Sequence, residues 1–165
     1  MEGNRKPPIN YIERITATYA ALGYEPYEWY FADNEPELAA IEKPLADSRL
    51  GVIATGGIYK AGQVAFNYKD DVTYRAIPSD VPTEDLRATH FAYDLTDARK
   101  DINVVFPIDA LRVLQREGRF KELAPCLFTC MGGIYSQRKV NEDLAPALVQ
   151  RCLEDEIDVV LLVPV

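Results

Sequence analysis

The stretch Asp158-Val159-Val160-Leu161-Leu162-Val163-Pro164-Val165 is an almost unbroken apolar run. Apolar runs without polar alternation are typical of strands that are buried on both faces, as inside a parallel sheet. In a doubly wound α/β domain the ligand crevice lies just beyond the carboxyl ends of such strands. We therefore predict a parallel sheet with its functional edge near Val165. We also expect the residue that stands at the mouth of the crevice to be missing from this sequence.

Strands and helices alternate before this run. Further core strands are predicted over Leu50–Thr55, Ile102–Phe106 and Leu127–Cys130. Helices are predicted over Ile108–Glu117, ended by Gly118, and from an N-cap at Asn141 onward. This alternation with short connections predicts an α/β fold with a three-layer, mostly parallel sheet flanked by helices. We expect it to be doubly wound and Rossmann-like, and incomplete on its C-terminal side.

The first part of the chain is less regular. Ile9–Leu22 has apolar residues at helical spacing and predicts a helix. Tyr24–Asp47 is rich in proline and aromatic residues and predicts an irregular connection wrapped on the domain. Its aromatic side chains are expected to be buried: Tyr27, Trp29, Tyr30 and Phe31. We assign residues 1–48 to this N-terminal helix and wrapping segment and 49–165 to an α/β core, which together form effectively one domain.

The composition indicates an intracellular globular protein. The 165-residue chain is 48% hydrophobic and 27% charged, and its net charge of −8 argues against nucleic-acid or anionic-membrane binding. It has no apolar signal segment and no run of the ~20 apolar residues that a membrane span needs, so we expect a cytoplasmic location. Three cysteines, an odd number, suit reduced thiols, and a single histidine gives no basis for a protein-only zinc site.

Two glycine loops follow predicted strands. They are Gly56-Gly57-Ile58-Tyr59 and Gly132-Gly133-Ile134-Tyr135. Glycine allows a sharp turn and the close approach of a ligand or another chain. Neither loop has the spacing of a phosphate-binding motif. A structural turn and a binding loop are both open for each loop alone, and the presence of two favours binding.

Two segments between the loops carry further candidates. Short strands are predicted over Thr73–Pro78 and Thr89–Asp94. His90 and Asp94 lie on one face of the second strand, either as site residues or as packed structural residues.

Three more polar residues lie near predicted strand ends. Asn103, inside a predicted core strand, needs hydrogen-bond partners. Asp109 lies in the first turn of the next helix, as a helix-start residue or as a crevice carboxylate. Arg138 belongs to a short basic segment that could meet a carboxylate or lie in solvent. We expect both glycine loops, Asp109 and the end of the chain to converge at one edge of the sheet.

Several segments together resemble a known family. The most specific is Asp101-Ile102-Asn103-Val104-Val105-Phe106-Pro107-Ile108-Asp109. The others are Thr55-Gly56-Gly57, Phe66-Asn67-Tyr68, Tyr74-Arg75-Ala76-Ile77-Pro78, His90 through Asp94, Gly118, Leu123-Ala124-Pro125 and Met131-Gly132-Gly133. They resemble the selenoprotein B family of the glycine, sarcosine, betaine and D-proline reductases, over most of the chain from about Arg49 onward.

The resemblance implies where the nucleophile lies. In that family the strand similar to Ile157–Val165 is followed at once by a selenocysteine, then two residues and a cysteine. We therefore expect the catalytic selenocysteine directly after Val165, at a UGA codon read as a stop, and an inactive 165-residue form. No catalytic residue is assigned within the chain. The substrate-pocket or interface candidates are Gly56, Gly57, His90, Asp94, Asn103, Asp109, Gly132, Gly133 and Arg138.

The resemblance also implies a reaction and a partner. The family cleaves a substrate carbon–nitrogen bond reductively: a selenolate attacks the α-carbon and displaces nitrogen, and a dithiol or thioredoxin-type reductant resolves the adduct. A partner subunit carries a pyruvoyl cofactor, which in the D-proline and glycine-type systems holds the amino substrate as an imine. The expected assembly is a hetero-oligomer that takes a small amine or amino acid, with no cofactor or metal bound by this chain.

Two other interpretations remain open. The chain could be a non-catalytic α/β binding module whose glycine loops hold a small carboxylate or a partner protein. It could also be a racemase-like domain with paired thiols. Cys126 and Cys130 suit that poorly, because they are predicted to lie inside the domain along one strand instead of at two strand ends. The codon after Val165 discriminates: UGA followed by codons for two residues and a cysteine favours the reductase, whereas UAA or UAG excludes it.

Overall fold

The chain forms two compact units in a computed structural model that describes residues 10–26, 30–33 and 35–165. The units are Met1–Ala39 and Ala40–Val165. In the first unit, helix α1 spans Tyr11–Ala21, within the predicted helical segment. Tyr30 and Phe31 are 64% and 82% exposed, so their predicted burial is wrong. The other two aromatic residues of that prediction, Tyr27 and Trp29, lie outside the described residues.

A five-stranded mixed sheet forms the centre of the second unit. The strands of this unit are β1 Arg49–Ala54, β2 Ile58–Lys60, β3 Arg75–Pro78, β4 Leu86–Ala88, β5 Glu122–Leu123, β6 Cys126–Thr129 and β7 Val159–Val163. The central strand β1 pairs in parallel with β5 and then β6 on one side, and with β7 on the other. Strand β3 joins β6 in antiparallel orientation, while β2 and β4 form a separate antiparallel pair.

Helices and short turns connect the strands. The helices are α2 Thr96–Lys100, α3 Ile108–Arg116, α4 Gln137–Lys139 and α5 Ala145–Glu154, with a π-helical turn Val140–Leu144 between the last two. Single 3₁₀ turns occupy Leu45–Asp47, Thr83–Asp85 and Ile102–Val104. Helix α3 ends at Gly118, whose φ of 71° gives the left-handed cap that the sequence predicts. None of the helices in the described ranges is long and apolar enough to cross a membrane.

The sheet separates two apolar cores, because successive strand residues point to opposite faces. On one face, Val52 of β1 packs in a cluster with Ile108 and Leu111 of α3. On the other face, Phe128 of β6 packs in a cluster with Leu148 of α5. The predicted α/β architecture, a mostly parallel sheet flanked by helices, is therefore confirmed.

The predicted strand Ile102–Phe106 is wrong. Its first three residues form a 3₁₀ turn, and the Asp101 carboxylate accepts a hydrogen bond from the Asn103 N–H (3.0 Å). Ile102, Val105 and Phe106 are buried, which is the i, i+3, i+4 spacing of a helical turn. Asn103 is therefore not a polar group inside a core strand.

Two smaller predictions are also wrong. Thr89–Asp94 is not a strand, because β4 ends at Ala88. Asn141 does not cap a helix: the Ser136 side chain accepts from the Lys139 N–H (3.4 Å) and starts α4 instead. Asn141 lies one turn inside this helical segment, within the π-helical turn.

Strand β7 is less buried than its composition predicts. Leu161 is 37% exposed and Leu162 is 67% exposed, so burial on both faces is wrong. Among the described residues β7 pairs with β1 alone, which makes it an edge strand.

Candidate functional site

Both glycine loops and the last residues of the chain meet at one end of the sheet. Gly56 follows β1 and forms an antiparallel bridge with Met131, which follows β6. The Gly57 N–H donates to the Cys130 carbonyl (3.0 Å). Since β1, β6 and β7 run in parallel, their carboxyl ends lie at the same edge. Ligands of α/β domains bind at this edge.

Val165 is bound into the same edge. Its N–H donates to the Thr55 hydroxyl (2.9 Å), and the Thr55 N–H donates to the Val163 carbonyl (3.1 Å). A Cβ placed on Gly132 would lie 3.0 Å from the Val165 carbonyl oxygen. A Cβ on Gly56 would lie 3.4 Å from the Val165 side chain. The three segments are therefore in van der Waals contact, and the packing is tightest at Gly132.

Two of the glycines have close contacts with the Thr89–Asp94 segment, and at Gly57 these contacts require glycine. Gly57 has a φ of 68°, and a Cβ there would overlap the Thr89 carbonyl oxygen. A Cβ on Gly133 would overlap the ring of Phe91. Each loop thus holds a residue of the Thr89–Asp94 segment against the end of the sheet.

His90 lies where these segments cross. It is 4% exposed, and its Nδ1 accepts a hydrogen bond from the Ala92 N–H (3.0 Å). The Gly132 N–H lies 3.3 Å from Nε2. A neutral imidazole has one unprotonated nitrogen and accepts one of these bonds at a time. The shorter distance favours the bond to Nδ1. Nε2 then carries the proton and can donate it to the Thr55 carbonyl.

The environment of His90 keeps it neutral. Burial lowers the pKa of His90, and a hydrogen bond with the Thr55 backbone partly opposes that shift. Its ring stacks on Phe91 with centroids 5.6 Å apart and lies 4.8 Å from the ring of Tyr93. His90 is therefore a neutral, hydrogen-bonded side chain that lies between the Gly132 loop and Thr55.

Tyr93 also belongs to this site. Its hydroxyl donates to the Gly56 carbonyl (2.8 Å), and burial raises the pKa of the phenol. Sequence reasoning did not identify Tyr93, Thr55 or Phe91 as site residues. The one available signal was their position beside the glycines and the single histidine.

Asn103 and Asp109 form a different cluster. The Asp109 N–H donates to the Asn103 side-chain oxygen (2.9 Å), and the Asn103 amide donates to the Asp109 carboxylate (3.0 Å). Arg112 binds the same carboxylate (2.9 Å) and donates to the carbonyls of Ser79 and Val81. These hydrogen bonds stabilise the first turn of α3 and connect that helix to the loop after β3.

Asp94 and Arg138 have local partners. The Asp94 carboxylate accepts from the Thr96 N–H (2.9 Å) at the start of α2, and hydrogen bonds to Thr96 lower its pKa. Arg138 pairs with Glu142 (2.7 Å) on an exposed surface. Neither side chain makes a contact with the glycine loops in the interactions that the structure describes.

The three cysteines lack the features of a nucleophile. Burial raises the pKa of Cys130 to about 11. Burial also raises the pKa of Cys126 and of Cys152, and the nearby Asp155 carboxylate adds to both shifts. Because the thiolate is the reactive form, all three are weakly reactive near neutral pH.

Comparisons with known proteins give consistent relationships. Residues 32–165 match the family model of the glycine/sarcosine/betaine reductase selenoprotein B. The chain is 35% identical over 127 residues to the D-proline reductase subunit gamma of Acetoanaerobium sticklandii, a match over 77% of this chain and 52% of the relative. It thus spans about half the length of that curated relative. No solved structure matches the chain. The chain belongs to the glycine/sarcosine/betaine reductase selenoprotein B family.

Proposed function

We propose that this chain contributes the substrate-facing edge of a selenoprotein B-type reductase subunit. The reaction is the reductive cleavage of the carbon–nitrogen bond of a small amine such as glycine, sarcosine, betaine or D-proline. The observation that carries the proposal is the family match over residues 32–165. The site around His90 and Val165 lies inside that range and supports it.

The proposed chemistry uses a selenolate placed after Val165, as the resemblance implies. Attack on the α-carbon forms a carbon–selenium bond and breaks the carbon–nitrogen bond, and the amine leaves with the bonding pair and takes up a proton. Two thiols then become a disulfide. The two electrons released by this oxidation cleave the carbon–selenium bond and regenerate the selenolate. Of the two protons released by the thiols, one goes to carbon and one to solvent.

Contacts among the described residues support this proposal. The Val165 N–H is held by Thr55, and Thr55 is next to Gly56, whose carbonyl accepts from Tyr93. His90 is a positioning residue in this proposal, because its ring lies against the Gly132 backbone and forms a hydrogen bond with the backbone of Thr55, just after β1. A rigid edge of this kind supplies the orientation that nucleophilic displacement needs.

The proposed assembly is a hetero-oligomer with a subunit that carries a pyruvoyl group. That group supplies a carbonyl that can condense with primary or secondary amines. The cysteine thiols of this chain do not take part, because their raised pKa values leave little thiolate.

The test compares two forms of the chain. The 165-residue form and a form extended by selenocysteine, two residues and cysteine are each mixed with a pyruvoyl-bearing reductase subunit and dithiothreitol. We expect substrate-dependent oxidation of the dithiol only with the extended form, for one of the four amines. A cysteine version should be slower, because fewer thiols than selenols are ionised near neutral pH. Turnover by the 165-residue form, or none by the extended form, contradicts the proposal.

A further inference from the structure

Thr55 lies where the hydrogen-bond ladder between β1 and β7 ends. The two strands pair in parallel as far as Ala54 and Val163. The Thr55 N–H then donates to the Val163 carbonyl (3.1 Å). In a regular parallel ladder, a residue whose N–H donates to one partner also accepts, through its carbonyl, from the N–H two residues further along the partner strand. The next bond of a regular ladder would therefore join the Val165 N–H to the Thr55 carbonyl.

The structure has a different bond at this position. The Val165 N–H donates to the Thr55 hydroxyl oxygen (2.9 Å). The Thr55 carbonyl is instead the backbone group that forms a hydrogen bond with His90. The side chain of Thr55 thus takes over the acceptor role in the ladder, and its carbonyl is left for the imidazole. Threonine and serine suit this exchange, because their hydroxyl oxygen accepts hydrogen bonds from nearby backbone N–H groups.

The second glycine loop packs against this contact. A Cβ placed on Gly132 would lie 3.1 Å from the Thr55 Oγ and 3.0 Å from the Val165 carbonyl oxygen. Gly132 therefore lies against the hydroxyl and against the peptide that the hydroxyl binds. The β-branched side chain of threonine also has few χ1 rotamers. Both features hold the Thr55 hydroxyl in the orientation that binds Val165.

We propose that Thr55 is a positioning residue, whose hydroxyl fixes the backbone at Val165 and thereby orients the residue that follows it. This proposal rests on the proposed function, which places the selenolate nucleophile directly after Val165. Displacement of the amine needs the nucleophile aligned with the carbon–nitrogen bond, and a misplacement of ~1 Å can lower the rate on the order of 100-fold. Because Thr55 acts through the Val165 backbone, its loss should lower kcat and leave KM unchanged.

The direct test measures hydrogen exchange of the Val165 amide by NMR in the 165-residue protein. Thr55→Val keeps the shape of the side chain and removes the acceptor, whereas Thr55→Ser keeps the acceptor. We expect the Val165 amide to exchange about fivefold faster in Thr55→Val, the factor that loss of one net hydrogen bond gives, and at close to the parent rate in Thr55→Ser. Equal exchange in Thr55→Val and the parent protein overturns the proposal.

A threonine of the N-terminal unit provides the matched control. The Thr18 hydroxyl donates to the Arg14 carbonyl (2.8 Å) within α1, on an exposed surface. Thr18→Val is the same chemical change and should leave both the Val165 exchange rate and kcat unchanged. An effect of Thr18→Val as large as that of Thr55→Val would contradict the assignment to the Thr55–Val165 contact.

The reconstituted reductase separates this proposal from the proposed function. In an active complex built with the selenocysteine-extended form, Thr55→Val should lower kcat about fivefold or more with KM unchanged, and Thr55→Ser should keep most of the activity. An unchanged kcat, or a raised KM alone, defeats the role of Thr55 and leaves the proposed reaction intact. If no extended form turns over, the proposed reaction fails, and amide exchange still decides whether Thr55 fixes Val165.

Discussion

At the scale of single residues, Gly57 and Gly62 offer a controlled comparison. Both have a positive φ, 68° and 95°, but only at Gly57 would a Cβ meet another part of the chain, the Thr89 carbonyl. Gly62→Ala should cost about 1–2 kcal/mol from backbone strain alone. Gly57→Ala should cost about 3 kcal/mol or more, because the strand pair β2–β4 must also move apart. Urea unfolding measures the difference, and equal losses in the two variants would show that the contact is unimportant.

His90 should make stability depend on pH. Its folded-state pKa lies below the unfolded value of 6.5, so the unfolded chain binds the proton more readily. Stability is therefore fully present above pH ~6.5 and is lost as the pH falls toward the folded-state pKa, by at most about 1.4 kcal/mol per pH unit. The rings that face His90 belong to Phe91 and Tyr93, and the raised pKa of Tyr93 keeps it neutral over this range.

The measurement is the free energy of unfolding between pH ~7.5 and ~5, above the range in which unperturbed carboxyl groups titrate. His90→Gln should remove most of the slope in this window. Tyr93→Phe is the control, since it keeps the imidazole and should keep the slope. If the free energy of unfolding of His90→Gln still falls with pH as in the parent protein, the pH dependence comes from other groups.

At the scale of elements, two asparagines distinguish a real cap from an apparent one. Asn103 accepts from the Asp109 N–H at the start of α3, although it lies outside that helix. Asn103→Ala should cost about 1–2 kcal/mol, the range for loss of a cap. Asn141→Ala, at the exposed position that the sequence marks as a cap, should cost less than about 0.5 kcal/mol. Thermal unfolding of both variants measures these two losses. A larger loss of stability in Asn141→Ala than in Asn103→Ala would contradict the observed caps.

Elements with a strong local signal were predictable from the sequence. Strands β1, β6 and β7 are apolar and short, and α3 has helical spacing and a glycine cap, so these were located within a residue or two. Ile102–Phe106 has the same apolar content as a strand, and only its 3₁₀ hydrogen bonding to Asp101 makes it a turn. That choice depends on side-chain contacts that a pattern of apolar residues does not contain.

The site was predictable only in outline. Glycine loops at the ends of parallel strands follow from the βαβ pattern, and Gly56, Gly132 and Val165 do meet. Asp109 was expected there by the same topological argument, but Asn103 and Arg112 bind its carboxylate at the start of α3. The contacts of Tyr93 and Phe91 with the glycine loops cross 37 or more residues of sequence, which local reasoning cannot connect.

At the scale of the whole molecule, the cysteines should respond to alkylation as buried thiols. Cys130 has its pKa raised from 9.0 to about 11, so its thiolate fraction falls on the order of 100-fold. In native protein at pH ~8, iodoacetamide should label Cys130 far more slowly than Cys126 or Cys152. Unfolding in urea should make all three equally reactive. Mass spectrometry of timed samples gives the order, and rapid native labelling of Cys130 would contradict its burial.

The unpaired edge of β7 in the 165-residue chain has a consequence for how these molecules behave together in solution. The side chains of Val159–Val165 carry no charge, and unprotected apolar strand edges are sites where identical chains add to one another. Mutual repulsion from a net charge of −8 is the main force that opposes such growth. Salt weakens this repulsion, since the Debye length falls from ~30 Å at 0.01 M to ~3 Å at 1 M. Light scattering should therefore rise with ionic strength, and Leu162→Lys, which puts a charge on the edge strand, should keep the solution clear at salt concentrations where the parent protein becomes turbid.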